Sequence, residues 1–417
     1  MSHKDEVGQF AVEEPDVARA LSSFLLGHVI DGAEVLNTKY FAETGTLLKT
    51  MLVCGSLGTG KTSTCIHLLS RLWRKYKIPF LLFDSHATNC RLPVLLADPF
   101  STTINVFTLG NKSVSPLQIN AFEVPAGVDS QSHLDGLMLI FQASFKMNLP
   151  ESDFLRQALI LMYQQGRRPT IDDLERCTTT QSFGFAGERL AETRQKIASI
   201  LVQLRLGAKA DLFVAKNAVS LKTLFSKPAV IELREAFSEA EKNFCLNVLL
   251  FCVYQSSRKL PAGQPLRQVL VLDDAETMMN TGAPFLNVNK KSDAASASSL
   301  SVSLLAQLRV YGYGLVIATN NPAALPETIV DNCNLRVIFR LLGNADYRAI
   351  SGGTFFNEHH RRVIASQLSG HAVVYKAGDA VPYHLRTVFD PSLQIEIPET
   401  SEESDDIVRK VMSSIKA

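Results

Sequence analysis

The stretch TMLVCGSLGTGKTSTCIHLLSRLW, residues 50–73, decides the fold. It opens on a short apolar run, passes through a glycine-rich segment, and ends with Ile66, Leu68, Leu69, Leu72 and Trp73 at the spacing of a helical face. That order is strand, loop, helix, and Gly55-Ser56-Leu57-Gly58-Thr59-Gly60-Lys61-Thr62 at the junction fits G-x-x-x-x-G-K-[ST]. Glycines there let backbone N–H groups close around phosphate oxygens, and the helix N-terminus adds partial positive charge. Lys61 is spaced to reach the β and γ phosphates, and Thr62 offers a hydroxyl to Mg2+. The pattern predicts ATP and Mg2+ as ligands, with Gly55, Leu57, Gly58, Thr59, Gly60, Lys61, Thr62 and Ser63 around them.

A loop of this kind needs a carboxylate at the end of a neighbouring buried strand to hold Mg2+ through water. QVLVLDDAE, residues 268–276, supplies it: Asp273 ends the apolar run as the metal partner, and Asp274 is placed to polarise the attacking water. The alternative is a strand-end turn with two solvated acids. In GLVIATNNP, residues 314–322, Asn320 ends another apolar strand, where its amide can sense the γ-phosphate. Arg309, in LLAQLRVYGYG before that strand, falls where a subunit edge is expected, and an arginine there can complete a neighbour's site in a ring. A solvated helix arginine is the alternative for it, and Arg340 in VIFRLL is a weaker candidate for the same role.

Outward from this centre, the apolar runs PFLLFD, INVFTL, PAVIEL, QVLVLD, GLVIAT and LRVIF alternate with helical patterns, as in an α/β core with a mainly parallel sheet. Residues 1–48 read as a lead-in segment with a short helix around Val17 to Leu26, and residues 49–128 as the phosphate-loop half of the core. Residues 129–216 hold helix-period segments and no strand signal, so they read as an all-helical insertion; residues 217–397 form the second half of the core. Asn280 to Ser301 is polar, small and low in complexity, the composition of a mobile loop. Residues 398–417 open on the acidic run ETSEESDD and end in a short helix with Ile407, Val408, Val411, Met412 and Ile415 on one face.

The 417 residues are 46% hydrophobic and 20% charged, which excludes a disordered or collagen-like chain. Lys and Arg number 42 against 41 Asp and Glu, so any polyanion contact must be local rather than a uniform basic coat. Lys290 and Lys291, in the loop after the acidic motif, are placed to meet DNA phosphates if that loop faces a pore; a solvated loop is the alternative. Seven scattered cysteines with no C-x-x-C pair argue against a zinc site or a disulfide framework. The charged start MSHKDEVGQF and the shortness of FCLNVLLFCVY argue against a membrane span, so a cytoplasmic protein is expected. Asp84 and His86 follow a strand end near the loop, where they can touch Mg2+ or nucleotide or close a strand-end turn, and Glu358 to Arg362 read as a solvated helix, with a metal or phosphate site as the alternative.

Taken in order, GHVIDGAEV, the phosphate loop, LLFDSH, PLQINAFEVP, the helical HLDGLMLIFQASF and FLRQALILMY, KPAVIELREAFSEAEKNF, VLVLDDAE, LRVYGYGLVIATNNP and NLRVIFRL resemble the HerA branch of the HerA/FtsK superfamily of hexameric P-loop ATPases. The resemblance runs from about residue 27 to about residue 390. It implies a RecA-like P-loop NTPase core with a helical insertion, a homo-hexameric ring around DNA, and ATP-driven translocation or unwinding beside a nuclease or other effector. The family's trans-acting arginine falls on Arg309 and its sensor amide on Asn320. Three departures accompany it. The family's D-E-A-H-like stretch is Asp273-Asp274-Ala275-Glu276, its usual glutamine is Asn320, and only about 50 residues precede the loop, too few for the full β-barrel many members carry. Two rival expectations follow: a conjugative or secretion-type ATPase, and a hydrolysis-impaired ATP-binding assembly platform.

Overall fold

The structure, a computed structural model, describes residues 22–32, 34–86, 89, 104–166, 168–214, 224, 227–236, 238–263, 265–279, 294–352, 356–388 and 400–416. Its strands are β1 (Ser23–Asp31), β2 (Glu34–Glu43), β3 (Met51–Cys54), β4 (Phe80–Asp84), β5 (Asn105–Thr108), β6 (Ala229–Glu232), β7 (Gln268–Asp273), β8 (Tyr313–Thr319), β9 (Leu335–Ile338), β10 (His371–Lys376) and β11 (Tyr383–Thr387). The described helices of eight residues or more begin with α1 (Lys61–Tyr76), α2 (Ser130–Phe145), α3 (Leu149–Gln165), α4 (Ile171–Thr180) and α5 (Gly187–Leu204). They continue with α6 (Glu239–Ser257), α7 (Ala294–Arg309), α8 (Asn344–Ser351), α9 (Glu358–Ser366) and α10 (Ser401–Lys416). By contact the chain divides into a first unit of residues 1–80, 265–276 and 313–396, and a second of residues 81–264, 277–312 and 397–417.

In the first unit the strand order is β2-β1-β11-β10-β9-β3-β8-β7. From β9 to β7 the pairs are parallel, and β3 lies between β8 and β9 with all four of its residues buried. A strand flanked by parallel neighbours and covered on both faces has no solvent side, so every position is apolar, and Met-Leu-Val-Cys obeys that rule. From β9 outward the pairing turns antiparallel through β10, β11, β1 and β2. The helix expected over Val17 to Leu26 is corrected from Ser23 on, where the chain is strand. Phe24, Leu26 and Ile30 are buried there, and the hairpin pairs Ser23 with Glu43 and Asp31 with Glu34. Apolar residues three or four apart fit a helical face as well as a strand, and pairing with β2 and β11 decides between them.

The second unit holds the parallel strands β4, β6 and β5, in that order, with Leu81 and Asn105 both opposite Ala229. Helices α2 to α5 follow β5, and among the described residues no named strand falls between Ser130 and Ala210. Asn148 and Thr170 open α3 and α4 with reciprocal capping boxes, which fixes where those helices start. Phe122 and Phe213 meet at 4.8 Å between ring centroids, and Phe145 meets Phe244 of α6 at 5.6 Å. Residues 244–253 of α6 are all buried, so this helix is enclosed rather than half-solvated. The loop expected over Asn280 to Ser301 is a helix from Ala294 on; residues 280–293, with Lys290 and Lys291, lie outside the described residues. The acidic run after Pro398 is not a separate tail: α10 starts at Ser401, Asp405 pairs with Arg234, and Val408 is buried.

Candidate active site: a phosphate loop and its acidic partner

Register brings the site together in the first unit. Cys54, the last residue of β3, is level with Thr319, the last of β8, and Leu272 of β7 is level with Ile317 of β8. Gly55, Asp273 and Asn320 therefore all leave the sheet at the C-terminal ends of parallel strands, where α/β folds bind ligands. The Ala275 N–H donates to the Ala318 carbonyl at 3.0 Å and holds the acidic turn against β8.

Backbone hydrogen bonds fasten the loop from outside. Gly55 N–H donates to Thr319 O at 3.3 Å, Ser56 N–H to Arg340 O at 2.8 Å, and Gly370 N–H to Thr59 O at 2.9 Å. The Ser369 hydroxyl donates to Gly58 O at 2.9 Å, and the Thr59 hydroxyl to Ser56 O at 2.7 Å. Two glycines are required by geometry. A Cβ on Gly55 would lie 2.5 Å from that of Phe339, and Gly60 sits at φ +119°, a conformation L side chains rarely adopt, where an added Cβ would lie 3.0 Å from the Phe339 ring. Gly60 also caps α1 without any side-chain acceptor, so the first-turn N–H groups of that 16-residue helix are turned to the loop.

Lys61 is 7% exposed, and its ammonium donates to Gly55 O at 2.7 Å and to Ser56 O at 3.0 Å. Burial holds its pKa below the ordinary lysine value, while the carboxylates of Asp274, Asp273 and Glu276 work against that shift. A buried cation resting on loop carbonyls with three carboxylates in its field fits a phosphate and a divalent ion together. Thr62 is half-buried, Ser63 exposed, and Leu57 87% exposed.

The acidic turn is knitted to Asn320. Its side-chain amide donates to Asp274 Oδ1 at 2.7 Å, and its backbone N–H donates to Glu276 Oε1 at 3.0 Å. Asp274 takes φ +53°, which a short acid tolerates. The two residues shortened relative to the resembled family, Asp274 and Asn320, thus reach each other. Glu276 and the Ser369–Gly370 turn are site residues that the sequence reading missed. The turn lies more than 300 residues from the loop it holds and carries no motif, while Glu276 was marked only as a departure from the resembled family's D-E-A-H-like stretch.

Other expected residues fall elsewhere. Arg309 ends α7 in the second unit, half-buried, and the loop, acidic turn and Asn320 all belong to the first. Arg340 contributes its carbonyl to the loop and its side chain is exposed. Asp84 is 1% exposed and accepts from His86 N–H, Asn89 N–H and Asn89 Nδ2, a closed strand-end turn. Asn357 caps the helix that carries His359 and His360.

The loop, the strand order and the acidic turn define an α/β protein with the P-loop NTPase fold. No family model matches the sequence, and no curated protein matches it. Among solved structures, VirB4 of Thermoanaerobacter pseudethanolicus is similar at 16% identity and a TM-score of 0.67, covering 89% of this chain and 98% of that one. Plasmid coupling protein TrwB with the ATP analogue ADPNP is similar at 14% identity and 0.57, over 90% and 95%. TrwB with ADP and Mg2+ is similar at 12% and 0.55, over 91% and 97%. At these identities the likeness establishes the fold, and it does not single out a HerA branch. Among the described residues, no helix is long and apolar enough to cross a membrane.

Proposed function

We propose that this chain is an ATP-hydrolysing motor that acts on DNA as a ring of identical subunits. The observation that carries this reading is the meeting of Lys61, Asp273, Asp274 and Asn320 at the C-terminal ends of β3, β7 and β8, around a loop that requires glycine at Gly55 and Gly60. In this reading the loop N–H groups and Lys61 hold the phosphates, while Thr62 and Asp273 hold Mg2+. The ion would offset the charge that develops on the transferred phosphoryl group. TrwB structures with a nucleotide analogue and with ADP and Mg2+ support those ligands. The resemblance to HerA proteins supports the hexamer, sequence-independent contact with DNA, a nuclease or other effector as partner, and Arg309 acting on a neighbour's site.

A second reading, a conjugative or secretion-type ATPase, draws on the VirB4 and TrwB likeness, TrwB being described as a conjugative coupling protein. The platform reading is weakened by the 2.7 Å bond between Asn320 and Asp274, since each shortened side chain offsets the other. Steady-state ATP hydrolysis with and without double-stranded DNA, beside a Lys61→Ala control, separates the three. The expected result is DNA-stimulated turnover that the control lacks, with Arg309→Ala subunits reducing the activity of mixed rings. Turnover indifferent to DNA favours the secretion-type reading, and tight ATP binding without turnover overturns hydrolysis altogether.

A further inference from the structure

Two acceptors in the site are buried and, among the described residues, have no hydrogen-bond partner: Glu276 Oε2 and Asn320 Oδ1. Buried acceptors without a donor are costly and uncommon, so a pair of them in one place asks for a shared donor. The two groups are tied together, because the backbone N–H of Asn320 donates to the other oxygen of Glu276 at 3.0 Å. The direction of the Asn320 amide is also fixed. Its Nδ2 donates to Asp274 Oδ1 at 2.7 Å, which leaves the amide oxygen facing away from Asp274 as an acceptor. A small molecule that can donate to two acceptors at once is water.

Resting on the ATPase reading, we infer that Glu276 and Asn320 hold the water that attacks the terminal phosphorus, and that Glu276 accepts its proton. The sequence alone gives that role to Asp274, the residue directly after the metal partner. In the structure Asp274 instead grips the sensor amide and sets its orientation, which makes it a positioning residue. The step balances within the site. The water oxygen bonds to the γ-phosphorus, and the bond from that phosphorus to the β–γ bridging oxygen breaks. The bridging electron pair leaves with ADP, and the water proton passes to Glu276 Oε2.

The test pairs a structure with kinetics on the full chain. A crystal structure with a non-hydrolysable ATP analogue and Mg2+, at a resolution that shows waters, is expected to place one within hydrogen-bond distance of both Glu276 Oε2 and Asn320 Oδ1. Glu276→Gln is expected to lower kcat by about 100-fold or more, with the Kd for the analogue held within about threefold. Asp274→Ala, which frees the amide to flip, is expected to lower kcat about tenfold, and Asp274→Asn, which keeps an acceptor for Nδ2, to restore most of it. The proposal is overturned if no water bridges the two atoms, if Glu276→Gln turns over normally, or if Asp274→Asn is as inactive as Glu276→Gln. Wild-type protein that binds ATP and carries the bridging water but never hydrolyses it overturns the ATPase reading and Glu276's role as a base together. In that case the water identifies hydrolysis, rather than the geometry, as the failed part.

Discussion

Carboxylates end parallel strands in both units of this molecule, and the two sets behave in opposite ways. In the second unit Asp84 and Glu232 face each other across the register of β4 and β6. Asp84 is saturated by three donors from His86 and Asn89, and Glu232, fully buried, lies 4.0 Å from the Arg234 guanidinium. Burial, then the neighbouring Asp84 charge, pushes the Glu232 carboxyl up to about 8, so at neutral pH it is mostly uncharged. In the first unit Asp273, Asp274 and Glu276 share a field with a buried lysine, and one Glu276 oxygen keeps an unused lone pair. Glu232 also has both oxygens without a hydrogen-bond partner among the described residues, so left-over acceptors alone do not mark a reactive site; what sets the first unit apart is the buried lysine on the loop carbonyls that shares the field of its acids.

Substitutions can break this contrast, and the largest effect is expected from the loop that faces the acids. Gly60→Val forces a branched side chain into φ +119° against Phe339, and it is expected to abolish nucleotide binding, measured with a fluorescent ATP analogue. Next comes the pair Asp273→Ala and Asp84→Ala. The first is expected to lower turnover by about 100-fold with little change in Tm. The second removes the acceptor of three hydrogen bonds, two of them buried, and it is expected to lower Tm on the order of 5–10 °C while leaving analogue affinity unchanged. Matching losses of turnover in both variants would remove the distinction.

Glu232→Gln sharpens the contrast through pH. The folded chain holds the Glu232 proton up to about 8, whereas an unfolded chain releases it near the ordinary glutamate value of 4.5. The stability it contributes is complete below the lower value and is lost as pH rises through the upper one. Calorimetry is therefore expected to show equal Tm for wild type and Glu232→Gln at pH 5, and a variant more stable by on the order of 5 °C at pH 9. The smallest effect is expected from Ser369→Ala, which removes one of several bonds on the loop and should raise the Kd for the analogue about twofold to threefold.

The difference between the two sets of acids was only half legible in the sequence. Strands β3 to β9 stand out because parallel strands covered on both faces are written as unbroken apolar runs, as in residues 51–54 and 313–319. The antiparallel strands β1, β2 and β11 mix buried residues with partly or fully exposed ones, such as His28 and Arg386, which breaks up their apolar pattern. Lys61, Asp273 and Asn320 were legible because a motif and two strand ends announce them. Glu276 was not, because its part depends on which lone pairs Asn320 and Asp274 have already used, and only folded geometry assigns those.

The central claim, that the Gly55–Ser63 loop and its acidic partner hold ATP and Mg2+, is tested most directly by titrating ATP with Mg2+ into wild-type protein and Lys61→Ala in a calorimeter across a pH series. The account predicts one site per chain, an affinity reduced by about 100-fold or more in Lys61→Ala, and a wild-type affinity that falls as pH rises through the lowered lysine pKa, because the phosphates favour the ammonium form. Equal affinity in the two proteins, with no pH dependence, would contradict it.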